Sequence, residues 1–112
     1  MPPLGTEIRS AAPVFAALGD ETRLRLVARL CAGEPLSITQ LAVGSQVTRQ
    51  AITKHLHVLE DARLVTGFRH SREQLWELNT RQLADARHCL DLISRHWDDA
   101  LARLKAAVEA ED

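Results

Sequence analysis

Arg49, Gln50, Thr53, Lys54 and His57 put five long or hydroxylated side chains within nine consecutive positions. Most are hydrogen-bond donors, and Arg49 and Lys54 add permanent charge. Interleaved with them, Ala51, Ile52, Leu56, Leu59 and Ala62 recur at threes and fours, the period of one helical face. Thr48, just upstream, is an N-cap type and extends the hydroxyl set. A rod with one apolar side and one donor-rich side, interrupted only by Val58, suits a DNA major groove. Amide and imidazole groups match base edges there, and cations match phosphates. A solvated helix of an ordinary bundle would share the spacing, so the flanking chain has to decide.

A second donor group follows. Val65 to Arg69 alternates in polarity, as does Gln74 to Leu78, and His70, Ser71, Arg72 and Glu73 lie between. This pattern predicts a two-stranded hairpin with a partly basic tip. A lone hairpin is marginal in water and has to pack on something. Beside the donor-rich helix it reads as a wing, with Arg69, His70 and Arg72 reaching phosphates or minor groove.

Upstream of the helix, Ser37 and Gln40 have capping-box spacing and open a short helix with Leu41 and Ala42 inward. Gly44 breaks it, Ser45 and Gln46 fill a turn, and Val47 plugs the gap before the helix at 48–62. Residues 37–63 thus predict a helix-turn-helix and residues 64–79 the wing.

The outer segments must support this unit. Met1 to Arg9 holds two prolines and a glycine and reads as a loose arm. Ser10 would cap a helix from about Ala11 to Leu18, with Val14, Phe15 and Leu18 inward. Asp20 would cap a second helix from Glu21 to about Ala32. There Leu24, Val27, Ala28 and Cys31 form one side, Leu26 and Leu30 widen it, and Arg23, Arg25 and Arg29 sit outside. Asn79 or Thr80 would start a long helix spanning 80–110. In it Leu83, Leu90, Trp97 and Leu104 recur every seven residues, and Ala86, Ile93, Ala100 and Ala107 follow three later. Leu101 and Val108 broaden the seam. At ~1.5 Å per residue such a helix spans about 45 Å, too long for one small domain to cover. Its seam predicts a homodimer, with Val14, Leu83, Leu90, Ile93, Trp97, Leu101 and Leu104 at the interface. A two-fold axis would set two reading helices about one DNA turn apart, matched to a palindrome.

The fold class expected is mainly α with a small β-hairpin: a winged helix-turn-helix in a single domain, 1–112, with a long terminal dimer helix. The 112 residues, 46% apolar, suffice for one small core, and the net charge is −1. Between Ser45 and Arg72 five bases face two acids, whereas from Gln82 onward four bases face seven acids. The middle of the chain suits phosphates and the tail does not. No basic segment leads into an apolar run, and no stretch approaches the ~20 apolar residues that cross a bilayer. Two cysteines make no disulfide framework, which points to a reducing, cytoplasmic setting. With no Gly-rich phosphate loop, nucleophile elbow or paired acids, an enzyme is not expected. A winged-helix module that binds protein through its acidic long helix stays open as an alternative.

The segments FAALGDETRLRLVARLCAGEPLSITQLA, VTRQAITKHLHVLEDARLV and GFRHSREQLWELN resemble the ArsR family of bacterial winged-helix repressors. The resemblance covers about Phe15 to Asn79 and implies a homodimeric repressor bound to an operator, often at its own promoter. It maps reading of double-stranded DNA onto Thr48, Arg49, Gln50, Thr53, Lys54 and His57, and the wing contact onto Arg69, His70 and Arg72. Many relatives sense metal ions. Their thiol cluster has no counterpart in SITQLAV. Their last-helix site is matched only loosely by Asp85 with His88 and by His96 with Asp99, one residue too wide and with too short a gap. Cys31 and Cys89 sit on helices where some relatives form a disulfide, but out of line with those thiols. The chain resembles members lacking the known metal sites, so no metal and no cofactor are expected. A thiol- or metal-responsive variant remains an alternative.

Overall fold

The structure is a computed structural model and describes residues 4–110. The order is α1 (Leu4–Leu18), α2 (Glu21–Leu30), α3 (Ile38–Ala42), α4 (Arg49–Asp61), β1 (Val65–His70), β2 (Glu73–Leu78) and α5 (Thr80–Ala110). Each expected element is present, with one large boundary difference. The loose arm fails for residues 4–9, which are helical, and Ser10 lies inside α1 instead of capping it; positions 1–3 lie outside the described residues. The reason is tertiary. Ala11, Val14 and Ala17 are buried, and α1 runs along α5. That packing outweighs the propensity cost of Gly5 and of Pro13, which stands on the exposed side.

Local signals set most other boundaries. Asp20, Ser37 and Thr48 are the N-caps of α2, α3 and α4, each in extended backbone. α2 ends at Leu30, shorter than expected, and Gly33 turns the chain at φ 102°. α4 stops in a Schellman motif. Arg63 adopts φ 62°, its N–H donates to the Glu60 carbonyl, and Leu64 N–H donates to Leu59 O, both at 2.9 Å. Leu64 is thereby driven into the core, fully buried. The hairpin is antiparallel, with Val65 opposite Leu78, Gly67 opposite Trp76 and His70 opposite Glu73. Leu36, just before α3, adds a bridge to Trp76, with N–H to carbonyl bonds of 2.9 Å in both directions. This staple fixes the wing to the helix-turn-helix.

One core unites the elements: Val14 and Ala17 of α1, Leu26, Val27 and Leu30 of α2, Leu41 of α3, Ile52, Leu56 and Leu59 of α4, then Leu64, Val65, Trp76 and Ala86. α5 joins it only at its start. Ala86, Cys89 and Leu92 are its buried residues, so Ala86 belongs to the chain's own core and not to an outer seam. Beyond Leu92 every described residue of α5 is exposed, and the molecule measures 68 × 30 × 21 Å.

Candidate nucleic-acid interface

The helix-turn-helix is built from reciprocal caps. Ser37 N–H donates to Gln40 Oε1 at 2.9 Å, and Gln40 N–H donates to Ser37 Oγ at 3.2 Å. Five-residue α3 cannot satisfy its own last carbonyls. Arg29 does so from α2: Nη2 donates to Gln40 O at 2.9 Å, and Nη1 to Leu41 O and Val43 O at 3.3 Å each. The chain then turns at Gly44, φ 74°, an αL position that suits glycine. Ser45 Oγ accepts from Val47 N–H at 3.1 Å, and Thr48 Oγ1 from Ala51 N–H at 3.1 Å, which starts α4.

With Ile52, Leu56 and Leu59 buried, the opposite side of α4 carries Gln50, Lys54 and His57 into solvent. Thr48 and Arg49 are exposed at the helix start. Thr53 is less available: it is half-buried, and its hydroxyl donates to Arg49 O at 2.9 Å, leaving only acceptor capacity. His57 is not isolated. Its ring meets Trp76 edge to face at 5.8 Å, and its Nδ1 lies 3.5 Å from Glu60 Oε1. At the wing, Arg69, His70 and Arg72 are exposed. Ser71 and Arg72 form the two-residue loop with φ 50° and 69°, the signature of a type I′ turn made without glycine.

Behind the solvent face of α4 lies a brace that the sequence did not reveal. Asp20 Oδ2 accepts from Arg23 N–H at 3.0 Å, Arg23 Nε donates to Ala17 O, and Arg23 Nη1 is 3.3 Å from His55 Nδ1. That nitrogen is also 3.8 Å from Asp20 Oδ2. The Arg23 backbone N–H, aided by Arg23 and His55 charge and opposed by desolvation, holds the Asp20 carboxyl below its usual range. α4 is thus tied to the start of α2 on the side away from Gln50 and Lys54. Asp20 was legible as a cap; its link to His55, 35 positions on, has no local signature.

Among the residues expected at a dimer interface, Val14 is 2% exposed inside its own chain's core and offers no surface to a second copy. Leu83 is half-buried against the same core. Leu90, Ile93, Trp97, Leu101 and Leu104 are exposed, and Ile8 and Val108 add to them. Cys31 is exposed and Cys89 buried, and both thiols are free. His88 and His96 are exposed on α5. Among the described residues no three His, Cys, Asp or Glu side chains gather as a metal site, and no helix is long and apolar enough to cross a membrane.

A donor-bearing helix seated on a turn, braced from behind and flanked by a stapled hairpin, defines a winged helix-turn-helix of the DNA-binding class. Residues 18–67 match the family model described as a helix-turn-helix domain. Over 103 residues, 92% of each chain, the sequence is 36% identical to the HTH-type transcriptional regulator Rv2034 of Mycobacterium tuberculosis. The fold superposes on an ArsR-like transcriptional regulator from Rhodococcus sp. RHA1 with a TM-score of 0.74 and 37% identity, covering 91% of this chain and 94% of that one. A further crystal structure, of an ArsR family transcriptional regulator, shares the fold at a TM-score of 0.71 and 23% identity, over 80% of this chain and 92% of that one. The chain belongs to the ArsR family of helix-turn-helix transcription regulators, and it is not an enzyme.

Proposed function

We propose that the chain is a homodimeric repressor that reads a palindromic operator through the helix at 48–62 and the wing at 65–78. The observation that carries the reading is the solvent-facing side of α4, where Gln50, Lys54 and His57 are exposed opposite a fully buried side. Arg49, Lys54, Arg69 and Arg72 supply phosphate contacts whose contribution falls with salt. Gln50 and His57 face base edges; Thr53 contributes as an acceptor. The two-fold assembly is supported by the exposed stripe at Leu90, Ile93, Trp97, Leu101 and Leu104, which no other described residue of the chain covers. Association along it brings two reading helices onto one face of a duplex.

The test is a gel-shift titration with DNA from upstream of the chain's own gene, paired with sedimentation of the free protein. A two-chain mass at micromolar protomer, and retardation that weakens as salt rises, are expected. Trp97→Glu should give a one-chain mass and weaken operator binding. Absence of retardation at low salt with the dimer intact would favour the protein-binding module, and a one-chain mass for the unaltered protein would remove the dimer.

A further inference from the structure

Of the exposed donors on α4, His57 alone is flanked by neighbouring side chains among the described residues. Trp76 supplies its ring on one side, edge to face at 5.8 Å and 83°. Glu60 supplies a carboxylate on the other, 3.5 Å from Nδ1. Trp76 is itself nearly immovable. It is 4% exposed, its backbone N–H and carbonyl both bond to Leu36 at 2.9 Å, and its ring lies across Gly67 on the paired strand. A Cβ on Gly67 would come within 2.9 Å of Trp76 Cζ3. One residue therefore touches the wing, the segment entering α3 and the imidazole on the reading helix. Among the described residues its buried indole N–H has no hydrogen-bond partner.

The Glu60 carboxylate lies 3.5 Å from Nδ1, so that edge of the ring faces Glu60 and Nε2 is the nitrogen left for a base. Among the described residues Nε2 has no hydrogen-bond partner. In the major groove every base pair displays hydrogen-bonding groups that an imidazole nitrogen can meet. We propose that Trp76 and Glu60 are positioning residues that make His57 a specificity-determining contact to a base edge through Nε2, which ties base choice to the seating of the wing. This rests on α4 being the base-reading helix, as proposed above.

The experiment selects a preferred duplex from a randomised pool with the full chain. It then measures the ratio of affinities for that duplex and for a scrambled one. His57→Ala lowers the ratio about tenfold, the size of one good base contact. Trp76→Phe and Glu60→Gln lower it comparably, and each doubled with His57→Ala is no worse than His57→Ala alone. Trp76→Phe forfeits no hydrogen bond, so its melting curve should remain cooperative; if it does not, Glu60→Gln, at the surface, carries the test. A ratio untouched by His57→Ala, with the duplex still bound, overturns the inference and leaves the repressor reading standing. A loss confined to His57→Ala, or doubles whose losses multiply, overturns the positioning roles. No binding to any duplex at low salt removes the repressor reading itself, and this inference with it.

Discussion

Replacing Arg29 by Met should loosen the whole reading unit, although Arg29 lies on α2 and touches no reading side chain. Its guanidinium is the only group besides the backbone seen on the carbonyls of Gln40, Leu41 and Val43, among the described residues. Hydrogen bonds to a charged group are worth ~1.5–3 kcal/mol each when dry. Here the side chain is largely exposed and one desolvation is shared by three bonds, so a total of about 2 kcal/mol is the reasonable figure. Met keeps the aliphatic stem and removes only the fork. At ~5 °C per kcal/mol for a domain near this size, Tm should fall by about 10 °C. Arg25 is the matched control. It pairs with Glu21 at 2.7 Å on the same helix, but the two side chains are 76% and 78% exposed. Such a pair is worth ~0.3–0.5 kcal/mol, so Arg25→Gln should move Tm by only about 2 °C. Melting by far-ultraviolet dichroism at one fixed protomer concentration measures both. Hydrogen exchange should quicken at Val43 and Ser45 in the Arg29 variant alone. A Tm shift for Arg29→Met no larger than that of Arg25→Gln would refute the clamp.

Gly67→Ala would push a methyl to 2.7 Å from Gln74 Nε2 and 2.9 Å from Trp76 Cζ3. Gln74 can swing away but Trp76 cannot, so urea melts should show a loss of ~1–3 kcal/mol. Arg63→Gly and Arg72→Gly each relieve an αL residue and should each raise stability by ~1 kcal/mol. DNA binding separates them: Arg72→Gly should lower the salt slope by ~1 and Arg63→Gly should leave it unchanged. The Asp20 carboxyl titrates lower folded than unfolded. Its stabilisation is therefore complete above the unfolded value and fades as pH drops through the folded one. Between pH ~5 and ~2 the unaltered chain should lose stability more steeply than Asp20→Asn, which retains a capping oxygen without the charge; parallel curves in a urea titration would contradict this.

Elements with punctuation at their ends could be read from the residues. Ser37, Thr48 and Asp20 announce helix starts by side-chain chemistry, and the alternation around Gly67 and Trp76 announces paired strands. The start of α1 could not be read. Gly5 and the two prolines ahead of it argue locally against helix, and the opposing argument comes from α5, some 75 positions away in the chain. The heptads of α5 were visible, but not the division between the edge at Ala86, Cys89 and Leu92 that faces α1 and the edge at Leu90, Trp97 and Leu104 that faces outward. Periodicity states that a stripe exists; only packing assigns its neighbour. The reading set was legible as donor types, and the structure adds which are already engaged: Thr53 with Arg49, and His57 with Trp76 and Glu60. Arg23 and Arg29 looked like surface charge because their partners are carbonyls and a ring on other elements.

The two tryptophans occupy opposite environments: Trp76 is 4% exposed at the joint between hairpin and helix, and Trp97 is 66% exposed on bare α5. Indole emission shifts to the blue when water is withdrawn, so the chain carries two optical gauges of its own. Light from Trp97 tracks whether the rod-like tail has been covered, and light from Trp76 tracks whether the joint has shifted. Silencing one by exchange to phenylalanine lets the other be followed in real time without attaching a dye.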